Sequence, residues 1–192
     1  QIDPDELPQP GDADPFALPD RADTIERVSL TEPELNVLSV LAPLAGATPR
    51  AVKRYVNLYR LIRASRQGAA LEAFLSGQDD APDCAALAFA LACACGLPAA
   101  ASRQFLARLY RIAPQSLGVL AQSDAWQRES ERDTPSAAAG KTGAPRPLDA
   151  RIDARLAGAA IAVEQATGRP LRSSAVAAAW DEAARFSFNR PG

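Results

Sequence analysis

Five polar residues, Arg50, Lys53, Arg54, Asn57 and Arg60, recur at helical intervals within GATPRAVKRYVNLYRLIRASR, a stretch with six basic side chains and no acidic one. Wound at about 100° per residue, they fill one stripe about 120° wide. Val52, Tyr55, Val56, Tyr59 and Ile62 fall on the opposite side. The chemistry open to such a row is anion binding, because guanidinium and ammonium groups donate charge-assisted hydrogen bonds to phosphate or carboxylate oxygens. Arg50 stands in the first helical turn, close to the helix's own positive end, and gains from a nearby anion. A solvated basic face balanced by acids elsewhere in the chain is the plainer reading. The absence of Glu or Asp at i±4 within the stretch weighs against it.

Other chemistry is thinly supplied. Histidine is absent, which removes histidine-based nucleophile pairs, metal ligands and proton shuttles. Cys84, Cys93 and Cys95 lie in an apolar run without the spacing of a zinc site and are expected as reduced, buried thiols. Ala139-Gly140-Lys141-Thr142 imitates the end of a phosphate-binding loop. It has Pro135 where that loop needs glycine and Gly143 to Pro147 where it needs a helix, so it is expected to be linker. Glu164, Asp181 and Glu182 share no inferable pocket and are expected to be solvated helical carboxylates.

The elements that must position the basic row are helices. Of the 192 residues 47 % are apolar, enough for a buried core, and net charge is −2. The chain begins at Gln1 and contains no methionine, so it is expected to be a piece of a longer one. Residues 1–29 form an irregular acidic, Pro-rich strap; the first 34 residues carry ten acids against Arg21 and Arg27 and could attract the basic stretch. Residues 30–122 make a helical bundle. Thr31 and Glu34 form a capping box, stapled by Leu30 and Leu35, for a helix to about Leu44. Thr48 caps, with Pro49 at the first position, a helix to about Arg66. Helices near 69–75, 82–95, 98–112 and 114–121 follow.

The charge-free run Cys84–Ala101 is expected as a buried helix, since Gly96-Leu97-Pro98 breaks it after about twelve residues, short of a membrane span. Residues 123–148 read as a flexible linker, and 149–192 as two helices, 149–167 and 173–185, that pack on the bundle. Phe89, Leu91, Phe105, Leu106, Leu109 and Ile112 are expected in the core, with Tyr55 and Tyr59 each buried with a bonded hydroxyl. Trp180, Phe186 and Phe188 are expected to seal the C-terminal helices onto it. The fold class is all-α.

Thr48 to Leu61, TPRAVKRYVNLYRL, resembles the "PRxxKRfxN" helix that follows the nucleotide-binding core of KAP-family P-loop NTPases, relatives of the AAA+ and STAND groups. ALAFALACACGLP and WDEAARFSF are similar to their apolar helix and closing segment. Gln1-Ile2 and Pro15-Phe16 resemble a split remnant of their lid-entry motif.

The resemblance implies a helical lid that closes over ATP, with Mg, in a core not contained in this chain. It implies Arg50 as a sensor-2-like residue, with Lys53 and Arg54 at phosphate or acidic core residues and Asn57 at the lid-core seam. It implies a parent ATPase, while these residues lack Walker A and Walker B motifs and would not hydrolyse ATP alone. The implied partners are the P-loop core of the same protein and either a protein partner or further copies. The implied setting is the cytoplasm or the inner membrane face, in nucleotide-gated assembly and antiviral defence. Two other classes remain: a helical adaptor that docks an acidic protein and meets no nucleotide, and, less favoured by the acidic overall charge, a nucleic-acid clamp.

Overall fold

The computed structural model describes residues 29–77, 83–132 and 149–186. Among them are nine α-helices and no strand: α1 Glu32–Ala45, α2 Pro49–Ala64, α3 Gly68–Ser76, α4 Cys84–Gly96, α5 Ala99–Arg111, α6 Leu117–Ala121, α7 Asp124–Arg132, α8 Ala150–Thr167 and α9 Ser173–Phe186. Residues 1–28 of the strap, with Gln1-Ile2 and Pro15-Phe16, lie outside the described residues, as do Gly140-Lys141-Thr142, Phe188 and the side chain of Phe186.

The bundle is organised around α4. Asp83 starts it, its Oδ1 accepting from the Ala86 amide at 2.7 Å, and every residue from Cys84 to Ala94 is buried. A short helix apolar all round must be enclosed on all sides, and α1, α2 and α9 supply the main walls, with α5 and α8 in lesser contact. Small side chains let these walls come close. At Gly96 an added Cβ would lie 1.9 Å from the Leu44 carbonyl oxygen, so α4 and α1 touch backbone to backbone there.

Helix α1 begins with the expected capping box: Thr31 Oγ1 accepts from the Glu34 amide, and Glu34 Oε2 accepts from the Thr31 amide at 2.8 Å. The hydrophobic staple is weak, because Leu35 is 47 % exposed. The helix stops at Gly46, whose φ of 151° suits only glycine and whose missing side chain makes room for Ala51. Phe105 of α5 gathers the aromatic core, with its ring centroid 6.1 Å from Phe89, 6.4 Å from Trp126 and 6.2 Å from Trp180. Leu91 and Leu109 are buried beside it, and Leu106 and Ile112 are partly so.

The span expected as linker from residue 123 opens instead with α7. Its polar composition conceals two anchors: Trp126, which is 3 % exposed and lies against Phe105 and beneath the Arg108 guanidinium at 4.8 Å, and Glu129, which accepts from Arg111 Nε at 3.3 Å. Burying one indole offsets the cost of ordering a short polar helix. The remainder, 133–148, is outside the described residues.

Candidate functional site

Helix α2 carries the residues singled out above. Thr48 Oγ1 accepts from the Ala51 amide at 3.2 Å, and Pro49 takes a position where no amide donor is needed. Tyr55, Tyr59 and Ile62 point inward against α1 and α4. Arg50, Lys53, Arg54, Asn57 and Arg60 are all exposed on the outer side. Leu61 lies among them, about 20° in projection from Arg50 at 3.6 residues per turn, and is 56 % exposed. The outer face is therefore a cationic strip with one exposed apolar side chain at its C-terminal end.

Two of the six basic residues in this stretch do not belong to that strip. Arg63 is 2 % exposed, and its Nε donates to Glu34 Oε1 at 2.7 Å; the Tyr59 hydroxyl donates to the same oxygen at 2.7 Å. Glu34 thus divides its carboxylate: Oε2 caps α1, and Oε1 binds α2. Burial, together with the nearby Cys84 and Glu34, raises the Tyr59 pKa well above that of an ordinary tyrosine, so this hydroxyl stays a donor. Arg66 is paired as well, with Glu182 of α9 at 2.6 Å and over the Phe74 ring at 4.2 Å. The stretch without acids is compensated from a distance at its C-terminal end. Toward its N-terminal end the cations face outward.

The Tyr55 hydroxyl departs from expectation, since it is fully buried and has no hydrogen-bond partner among the described residues. Desolvation raises its pKa strongly, with Cys95 and Cys93 adding to the effect. The ring fills the gap between α2 and the C-terminal turn of α4, and its apolar area offsets the cost of the hydroxyl. The three thiols are free; Cys84 and Cys93 are buried and Cys95 is half-buried. Burial, with Asp83 and Glu34 adding, pushes Cys84 up to about 12. Burial likewise raises Cys95, partly opposed by Arg54.

Glu164 and Glu182 are structural rather than solvated. Glu164 Oε1 accepts from Ser116 Oγ at 2.7 Å, the Gly118 amide at 3.0 Å and the Leu171 amide at 2.8 Å, tying the start of α6 to the turn before α9. The same turn forms an isolated antiparallel bridge between Ser116 and Arg172. Asp181 is exposed, as expected. Two more arginines act as ties. Arg108, fully buried, donates to Asp153 at 2.6 Å and joins α5 to α8. Arg155 donates to the Pro43 carbonyl at 2.8 Å and closes the last turn of α1, just ahead of the turn that leads to Arg50.

An open groove of ≈ 590 Å³ lies elsewhere, between the start of α1, α3 and the end of α8, with Glu34, Leu75, Cys84 and Arg169 in its lining. Glu34 is committed to its internal bonds, and Arg169 donates to the Ser76 carbonyl, so the groove's charged groups are already spent. None of Arg50, Lys53, Arg54 or Asn57 lines it. Among the described residues no cluster of three His, Cys, Asp or Glu is placed to hold a metal, and no helix is long and apolar enough to cross a membrane.

Compared with known proteins, the chain matches no family model, no curated protein and no solved structure.

Proposed function

We propose that this chain is the helical lid and C-terminal region of a KAP-like P-loop NTPase, and that the outer face of α2 closes on the phosphates of ATP held by a nucleotide-binding core outside these residues. One observation carries the reading: Arg50, Lys53 and Arg60 project from a helix whose other side is anchored at Tyr55, Tyr59, Ile62 and Arg63. The residues fit the phosphate part of a nucleotide, offering permanent charge and, in Arg50, a planar fork that reaches two oxygens. They offer nothing for the divalent ion, whose ligands belong to the core.

Closure would then be mechanical. Phosphate charge attracts the face, α2 moves with α1 because Glu34 joins them, and α4 passes the displacement to α9 through shared packing. A partner or a further copy reads the displaced C-terminal helices.

The experiment is Arg50→Ala in the protein together with its nucleotide core. Loss of a charge-assisted hydrogen bond costs about 1.5–3 kcal/mol, so ATP turnover should fall about ten- to a hundredfold with the fold intact. Unchanged turnover and unchanged closure on ATP would refute the lid and leave α2 as a docking face for an acidic protein.

A further inference from the structure

A phosphate has no use for Leu61, yet this leucine is 56 % exposed at the Arg60 end of the cationic strip. A surface that sets an exposed apolar side chain beside a row of cations fits a peptide that sets apolar residues beside acids. The chain contains such a segment ahead of α1: DADPFALPD, in which Asp12, Asp14 and Asp20 bracket Phe16 and Leu18 with no basic residue among them. We propose that this segment, Asp12 to Asp20, docks along the outer face of α2 and occupies it until a competing anion displaces it.

The connection favours the contact. Glu34 holds the start of α1 against the Tyr59–Arg63 end of α2, so the chain preceding Thr31 enters beside the Arg60 end of the strip. From Arg60 back to Arg50 is about 15 Å at 1.5 Å per residue. The nine steps from Asp20 to Ser29 span up to about 30 Å when extended, enough to pass around the helix and lie along it. A tether this short gives an effective concentration of about millimolar. Individually weak exposed ion pairs then suffice to populate the contact, and salt weakens it.

The proposal rests on the reading of this face as an anion site, but its first test needs no nucleotide. Lys53 and Lys141 are the only lysines of the chain, so a zero-length carbodiimide, which joins amines to carboxylates, has two side-chain amines to report from. In the 192-residue chain, peptide mapping should find Lys53 joined to Asp12, Asp14 or Asp20, with Lys141 as the internal control. High salt or inorganic tripolyphosphate should reduce the yield. The triple variant Asp12→Asn/Asp14→Asn/Asp20→Asn should lose these links and bind tripolyphosphate at least roughly threefold more tightly, because no tethered competitor remains.

The proposal is overturned if Lys53 joins this segment no more often than Lys141 does, or if the parent chain binds tripolyphosphate and the triple variant binds it no more tightly. Links from Lys53 in a chain that does not bind tripolyphosphate would uphold the docking and count against the phosphate reading of the face. Tripolyphosphate binding without links would do the reverse.

Discussion

Glu34 and Arg63 are 29 residues apart in sequence and 2.7 Å apart in space, both almost completely shielded from water. This pair sets the rotation of α2 against α1, and with it the direction in which Arg50, Lys53 and Arg60 point. Replacing one member leaves the other charge buried, which typically costs about 3–5 kcal/mol. Arg63→Met should therefore lower unfolding free energy by about that much. Glu34→Leu/Arg63→Met should be less damaged than the two single changes summed. Urea titrations of the four proteins make the comparison; additive losses would show that the pair does not act as a unit.

A second buried pair, Arg108 with Asp153, joins α5 to α8 beside Trp126. Asp153→Ala should cost about 3 kcal/mol or more and change the fluorescence of Trp126, which faces the Arg108 guanidinium. If stability falls by less than about 0.5 kcal/mol, the range of ordinary surface changes, the pair contributes little.

Gly96→Ala adds one methyl group where the Leu44 carbonyl stands 1.9 Å away and the Ala45 backbone 2.7 Å away. Main chain cannot rotate aside as a side-chain tip can. The variant should lose about 2 kcal/mol or more, measured as a lower urea midpoint, with α1 and α4 forced apart.

The outer cations should behave differently. Arg50→Ala, Lys53→Ala and Arg60→Ala remove exposed side chains and should each change stability by no more than about 0.5 kcal/mol. A thermal melt shifted by several degrees in any of them would assign that residue to the fold and remove it from the candidate site.

Alkaline pH should loosen the molecule. The Cys84 thiol has an ordinary pKa of 9.0, raised to about 12 by burial in the folded chain, and Tyr59 is raised in the same direction. A folded state that keeps its proton longer than the unfolded one is fully favoured below pH 9.0, and it loses that advantage as pH rises toward 12. Cys84→Ala should flatten the decline in stability by up to about 1.4 kcal/mol per pH unit, one proton's worth. Identical slopes in parent and variant would mean that the thiol does not titrate differently on folding.

Local signals were readable from the sequence where cause and effect lie within a helical turn. Thr31 and Glu34 announce the start of α1, Thr48 and Pro49 that of α2, and the uninterrupted apolar run of α4 announces a helix enclosed on all sides. Long-range satisfaction was not readable. Nothing near Glu34 reveals that its second oxygen serves Tyr59 and Arg63 of another helix, and Glu164 resembles any helical carboxylate until Ser116, Gly118 and Leu171 converge on it. Helix α7 escapes the sequence reading because its anchors, Trp126 against Phe105 and Glu129 with Arg111, are set among residues of linker-like composition. The outward course of Arg50, Lys53, Arg54 and Asn57 followed from periodicity, whereas the neutralisation of Arg63 and Arg66 required knowing which helices are neighbours.

The enclosure of α4 also governs how this protein is able to diverge. A segment with eleven consecutive inaccessible positions has no side on which neutral replacements accumulate. Across a library of single variants, Cys84 to Ala94 should appear as an unbroken intolerant block without the three-to-four-residue rhythm seen in ordinary amphipathic helices. Enlarging an alanine there would have to be answered by shrinkage on the facing helix, so its history should be written in paired exchanges.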